Sequence, residues 1–146
     1  NNKKISGILT EMGAEPDTVN FIVVGIGINV NTEDFPEDIK DIATSLKLIK
    51  GDTVSRKRLL INVLQEFKSF YLDFVNNKTL KKSIDICREN SIILGNKVKI
   101  INGMEEIIVV ALDINDRGEL VVKKDNGEII NIISGEVSLR GVSNYI

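Results

Sequence analysis

An α+β fold is predicted by three observations. The stretch Phe21-Ile-Val-Val-Gly-Ile-Gly-Ile-Asn-Val-Asn31 carries seven β-branched or aromatic residues, the composition of a strand. From Asp52 to Asn76 apolar residues recur at three- and four-residue intervals, the period of an amphipathic helix. Beyond Ile92 the chain breaks into five short apolar runs separated by glycine turns, and so many strands in so short a span imply a small barrel.

Lys3 to Glu11 alternates as a strand, with Lys4, Ser6, Ile8 and Thr10 on one face and Ile5, Gly7, Leu9 and Glu11 on the other. Glu11 to Asn20, with Gly13, Pro16 and Asp17, is turn chemistry that joins it to Phe21–Asn31 as a hairpin-like pair. In the second strand Gly25 and Gly27 lie two apart, so one face has no side chains there. A strand glycine weakens the strand, so the pair marks either a bulge or a place where something lies flat against the backbone. Asn29 continues that face and would set an amide donor and acceptor beside the bare stretch, which favours a ligand.

A polar loop, Thr32 to Asp38, contains Pro36, and Ile39, Ile42, Ala43 and Leu46 then follow at helical spacing, predicting a short helix or turn over 37–46. Thr44 and Ser45 read as a capping turn. Ser55 is the expected N-cap of the long helix, whose stripe from Leu59 and Leu60 through Val63, Leu64, Phe67, Phe70 and Tyr71 to Phe74 reads as core. Arg56, Lys57 and Arg58 crowd its first turn against the helix dipole and are taken as solvated surface. Thr79 caps a shorter helix to about Glu89, with Leu80, Ile84 and Cys87 inward. Strands are then expected at 97–101, 105–113, 119–123, 129–133 and 137–140, with hairpin signals at Asn102-Gly103 and Asn126-Gly127. The change of character near 91–95 divides the chain into domains at residues 1–91 and 92–146.

With 146 residues, 42% hydrophobic and 27% charged, the composition is that of a folded globular chain of one ordinary or two small domains. A net charge of −2 gives no electrostatic footprint for nucleic acid or an anionic membrane. No apolar run approaches the roughly 20 residues of a spanning helix, and one cysteine suits a reducing cytoplasm. Without histidine there is no Ser-His-Asp triad, no Cys-His pair and no histidine-bound zinc, and no metal ligands are assigned. Cys87, lacking a base, is read as a packing residue. Gly25-Ile-Gly27 is followed by more strand instead of a helix, which rejects a dinucleotide loop. The abrupt start in a strand without an initiator Met leads us to expect a piece of a longer protein.

Lys3-Lys-Ile-Ser-Gly-Ile-Leu-Thr-Glu11 followed by Val24-Gly-Ile-Gly-Ile-Asn-Val-Asn31 closely resembles the second half of the catalytic domain of biotin protein ligases, a class II synthetase-like fold. Ala43-Thr-Ser-Leu46 resembles a segment that follows the glycine strand in that family. Ser134-Gly-Glu-Val-Ser-Leu-Arg140 is similar to the end of the family's small SH3-like C-terminal domain, so the resemblance spans nearly the whole chain. It implies a reaction in which biotin and ATP give biotinoyl-adenylate, and the acyl group then passes to a lysine of the biotin carboxyl carrier protein of acetyl-CoA carboxylase. Mg2+ would accompany ATP.

By the same resemblance, Lys4 matches a lysine that reaches the acyl-phosphate region, for catalysis and biotin binding, and Gly7, Gly25 and Gly27 match the glycines of the biotin pocket. Asn29, Arg140 and Glu136 match positions on the nucleotide side, with Arg140 also catalytic. The family's glycine- and arginine-rich phosphate loop and its Lys-Trp-Pro-Asn-Asp motif are not in this sequence, so the chain alone is expected to be inactive. Dimers or swapped oligomers are expected, no membrane partner, and DNA binding only if the parent carries an N-terminal DNA-binding domain. Two alternatives stay open: a lipoate or octanoate ligase relative, and a non-catalytic SH3-like binding module. The second is disfavoured by a single aromatic, Tyr145, in residues 91–146.

Overall fold

Strand β1 (Ser6–Glu15) and strand β2 (Thr18–Ile28) form an antiparallel pair. The computed structural model describes residues 3–15, 18–102, 105–133 and 138–141. These fall into two units with their border between Ile61 and Asn62.

In the first unit, most of the expected turn Glu11–Asn20 is strand, with Glu15 paired to Thr18. The reason is Gly13, which sits opposite Phe21; a Cβ there would collide with the Phe21 ring, so the aromatic fills the glycine's bare face and the ladder continues past it. β2 also ends earlier than its composition suggests, at Ile28. From Asn29 the backbone bonds leave the ladder, the Asn29 N–H donating to Ile5 O at 2.9 Å and its carbonyl accepting from Leu46 N–H at 2.9 Å. Ile8 and Leu9 point to opposite faces of the hairpin and are 69% and 66% exposed. Both faces are therefore open.

The segment 37–42 is a turn held by Lys40 N–H to Pro36 O and Ala43 N–H to Ile39 O, and it delivers the buried run Ala43, Thr44 and Ser45. Ser45 caps helix α1 (Leu46–Lys50), its hydroxyl accepting from Leu48 N–H, as expected of a capping serine. Gly51 closes α1 at φ 79, a left-handed conformation that favours glycine. Helix α2 (Arg56–Asn77) starts later than Asp52 for a local reason. The Asn31 carboxamide bonds both the N–H and the C=O of Val54 at 2.9 Å, which occupies the backbone groups a helix would need, and Ser55 then accepts from Arg58 N–H.

The expected core stripe of α2 is not buried. Leu60, Leu64 and Phe67 are each 58% exposed, and no residue of the helix is buried. Helix α3 (Lys81–Asn90) packs against the sheet that follows through Ile84, which is buried, and through Arg88, whose guanidinium donates to Asp113 at 2.8 Å. Thr79 accepts from Lys81 N–H at 3.2 Å, but the N-cap position expected of it is taken by Leu80, which makes no side-chain cap bond. Leu80 and Cys87, expected inward, are exposed, because the half-buried arginine and Ile84 take the inner face. The packing role expected of Cys87 is thus corrected.

The second unit carries strands β3 (Lys97–Asn102), β4 (Glu105–Ile114), β5 (Leu120–Lys123), β6 (Ile129–Ile132) and β7 (Ser138–Gly141), one antiparallel sheet in the order β6-β5-β4-β3-β7. The expected strands are all present within a residue or so of their limits. Their inward positions alternate as a half-buried sheet requires, and Val98, Ile100, Val109, Ala111, Leu120 and Val122 form the core. The β4–β5 and β5–β6 turns use Gly118 and Gly127 at φ 80 and 87, with Asn115 and Asn126 side chains accepting from the backbone N–H two residues on. A bulge between Ala111 and Asp113 puts Asp113 opposite Val121, off the core face, where Arg88 meets it. The expected barrel is not confirmed: no pairing joins β6 to β7 among the described residues. No described helix is long and apolar enough to cross a membrane.

Candidate functional site

Gly7 and Gly27 are direct partners in the β1–β2 ladder, so two bare positions lie side by side and the side-chain-free patch is two strands wide. Gly25 sits on the same face, opposite Leu9. None of the three has a positive φ, so backbone conformation does not demand glycine. Nor does packing: a Cβ on Gly27 would meet only the Gly7 carbonyl oxygen at 3.9 Å, and one on Gly25 only Leu9 O at 3.7 Å. Glycine here leaves the space above the backbone open.

Lys4 stands at the edge of this patch. Its Nζ lies 3.8 Å from where a Cβ on Gly7 would be. Its backbone is fixed by two bonds to the buried run, Lys4 N–H to Ile42 O at 2.7 Å and Thr44 N–H to Lys4 O at 2.9 Å, a parallel bridge with Ala43. Among the described residues no carboxylate pairs with Lys4, which leaves its ammonium facing solvent at the patch.

A groove of about 520 Å³ runs from Lys4 and Ser6 over Gly7 and Gly27 to Ile28 and Asn29, and is closed on one side by Ile39, Ile42 and Ala43. Its shape is a flat backbone floor with one cation, one half-buried amide and an apolar wall, suited to a small flat ligand with an anionic end. Lys4, Gly7, Gly27 and Asn29 are thus brought together as the sequence suggests; Gly25 lies beyond the groove on the same face. Asn29 is at the site as a residue that follows β2, not as its next inward strand position. Ile39, Ile42 and Ala43 were legible only as an apolar spacing. The signal that they line a site was the Ala-Thr-Ser motif next to them.

Arg140 is on β7 with its backbone opposite Lys99. Glu136 lies outside the described residues. No group of three or more carboxylate or cysteine side chains that could hold a metal occurs among the described residues, so Mg2+ is given no ligands.

These features define a two-stranded antiparallel pair with a bare glycine floor and a groove beside Lys4, attached in sequence to a five-stranded antiparallel sheet. Residues 93–140 match the family described as the biotin protein ligase C terminal domain. The bifunctional ligase/repressor BirA of Bacillus spizizenii is 36% identical over 95% of this chain and 43% of its own length. The biotin–[acetyl-CoA-carboxylase] ligase of Mycobacterium tuberculosis is 29% identical over 92% of this chain and 47% of its own. A solved structure, the biotin protein ligase from Aquifex aeolicus in complex with biotin and ATP, superposes with a TM-score of 0.79 at 35% identity, covering 96% of this chain and 57% of that one. The chain belongs to the biotin protein ligase family, and it spans a little under half the length of the curated relatives it matches.

Proposed function

We propose that this chain is the part of a biotin protein ligase that supplies the floor of the biotin site and the small C-terminal domain, with the domain border at 91–92 and an SH3-like origin for residues 92–146. One observation carries the reading: the paired glycines Gly7 and Gly27 leave a flat patch with room above it, and the Lys4 ammonium stands at its edge without a carboxylate partner among the described residues.

In the reaction a biotin carboxylate oxygen attacks the α-phosphorus of ATP and pyrophosphate leaves. The amine of a carrier-protein lysine then attacks the acyl carbon, and AMP leaves. Two anions must approach, so the protein's work is positioning and charge neutralisation. Lys4 offsets charge on the carboxylate and phosphate oxygens, Gly7, Gly25 and Gly27 let the fused ring lie against the backbone, and the Asn29 amide serves the adenylate. Arg140 and Glu136 are assigned to the nucleotide by their motif alone. The protein that accepts the acyl group is a biotin carboxyl carrier protein, and the setting is the cytoplasm.

The test uses the full-length protein. Biotin is titrated calorimetrically against wild type and Lys4→Met, and biotin-dependent pyrophosphate exchange is followed in parallel. Loss of exchange in Lys4→Met with its fold intact is expected. Exchange that depends on lipoate or octanoate but not on biotin would overturn the substrate assignment, and undiminished exchange in Lys4→Met would overturn the role of Lys4.

A further inference from the structure

We infer that Ser45 is a positioning residue for the groove, acting through a clasp that holds both of its ends; the inference rests on the ligase reading. The Ser45 side chain is fully buried, and its hydroxyl does two things at once. It accepts from Leu48 N–H at 3.2 Å, capping α1, and it donates to Thr32 O at 2.6 Å, three residues beyond Asn29. The cap needs only an acceptor. The donated bond ties the cap to the segment leaving β2.

Backbone bonds on either side of Ser45 complete the clasp. Before it, Ile42 O and Thr44 N–H bracket Lys4 at 2.7 and 2.9 Å. After it, Leu46 N–H and Lys47 N–H donate to Asn29 O and Val30 O, both at 2.9 Å. Five consecutive residues, Ala43 to Lys47, therefore stand between the groove's cation and its amide, and the run Ala43 to Ser45 is its one buried stretch in this unit among the described residues. The geometry explains why a short helix of five residues is capped by a buried hydroxyl when an exposed serine would cap as well: beside the direct Asn29 N–H to Ile5 O bond, the donor half of the hydroxyl ties the segment leaving β2 to the run that holds Lys4.

The test compares Ser45→Ala, Ser45→Thr and Ser55→Ala in the full-length protein. Ser55→Ala is the control, because Ser55 caps α2 at an exposed position and does not line the groove. Two readouts are taken: biotin affinity with adenylation rate, and amide hydrogen exchange at Lys4, Thr44, Leu46 and Lys47. Ser45→Ala is expected to speed exchange at those four amides and to weaken biotin binding or adenylation by roughly three- to tenfold, the range for losing one buried hydrogen bond. Ser45→Thr, which keeps donor and acceptor, restores both. Ser55→Ala, which also removes a helix cap, changes neither.

A Ser45→Ala protein with unchanged exchange at the four amides overturns the clasp. So does accelerated exchange with wild-type affinity and rate. Should Ser45→Ala fail to fold, Ser45→Thr decides: slow exchange together with weakened binding would also overturn it. Absence of biotin binding in the wild type would instead sink the ligase reading, while the exchange comparison still decides whether Ser45 holds Lys4 and Asn29.

Discussion

Gly27 separates a packing reason for glycine from a binding one. With only a carbonyl oxygen 3.9 Å from its would-be Cβ and no positive φ, it tolerates a side chain as far as the fold is concerned. Gly27→Val in the full-length protein should therefore keep or raise Tm, since a strand glycine costs about 0.5–1 kcal/mol relative to alanine. The same change should weaken biotin at least about tenfold by filling the space the ring would use. Calorimetry and thermal unfolding on one variant read both. Arg140 makes the opposite contrast: if it holds nucleotide, Arg140→Ala lowers ATP affinity or adenylation roughly ten- to a hundredfold, the worth of a charge-assisted contact, and leaves biotin binding nearly untouched. Equal loss for both ligands would count against the assignment. At this scale much was legible from the sequence, because Lys4, Gly7, Gly27 and Asn29 are local to two strands. The direct pairing of Gly7 with Gly27 was not, since register depends on the turn and on the Gly13–Phe21 contact.

The elements of the second unit were read well because each strand is short, alternates, and is bounded by a turn of recognisable chemistry. What failed is what an element cannot show alone. The α2 stripe has the period of a buried helix, yet burial needs a partner surface, and its rings find mainly one another: Phe67 and Tyr71 stack at 6.2 Å, and the Lys82 ammonium sits 4.9 Å over Phe70. Closure into a barrel likewise depends on a pairing between β6 and β7, which the described residues do not show. Ion pairs within α3 and across the β5–β6 turn predict an acid response. The Asp85 carboxyl lies below its ordinary 3.8, first through the hydrogen bond from Lys81, with Arg88 adding to it and burial opposing; the Glu128 carboxyl is lowered by Lys124 and then Asn126. A carboxyl lowered in the folded state stabilises above its unfolded pKa and loses that stabilisation as pH falls through the folded one. The urea midpoint of this domain should fall from about pH 6 to about pH 3, and less so in Asp85→Asn and Glu128→Gln. An unchanged slope in the double variant would rule these two out as its source.

For the whole molecule the relevant fact is exposed apolar surface. Ile8, Leu9, Met12, Phe21 and Ile22 on the hairpin and Leu60, Leu64, Phe67 and Tyr71 on α2 are all more than half exposed, an unusual amount for a chain of this size. The 146-residue chain by itself should form dimers or larger species, because open strand edges and apolar faces pair with copies. Sedimentation showing only monomer at micromolar concentration would refute this. The same chain should give biotin-dependent pyrophosphate exchange no higher than a blank, since the phosphate loop and the Lys-Trp-Pro-Asn-Asp motif are not in its sequence. Fold class was legible because it depends on element types. Burial was not, because in a chain spanning a little under half of its relatives' length the surfaces that would cover these faces are not encoded by the residues that expose them.

The order β6-β5-β4-β3-β7 also sets a sequence of events in time. β3 to β6 join neighbours in the chain, with hairpins such as Lys123 to Ile129 closing over a few residues, whereas β7 returns to β3 and pairs Ser138 with Ile101. Closing that longer loop costs more entropy before any contact rewards it. The four-stranded meander is therefore the part that assembles early, with β7 adding late to an edge already formed. Motif residues on β7, Arg140 among them, take their places only when that last strand docks, so the refolding chain should regain its core before it regains whatever Arg140 does.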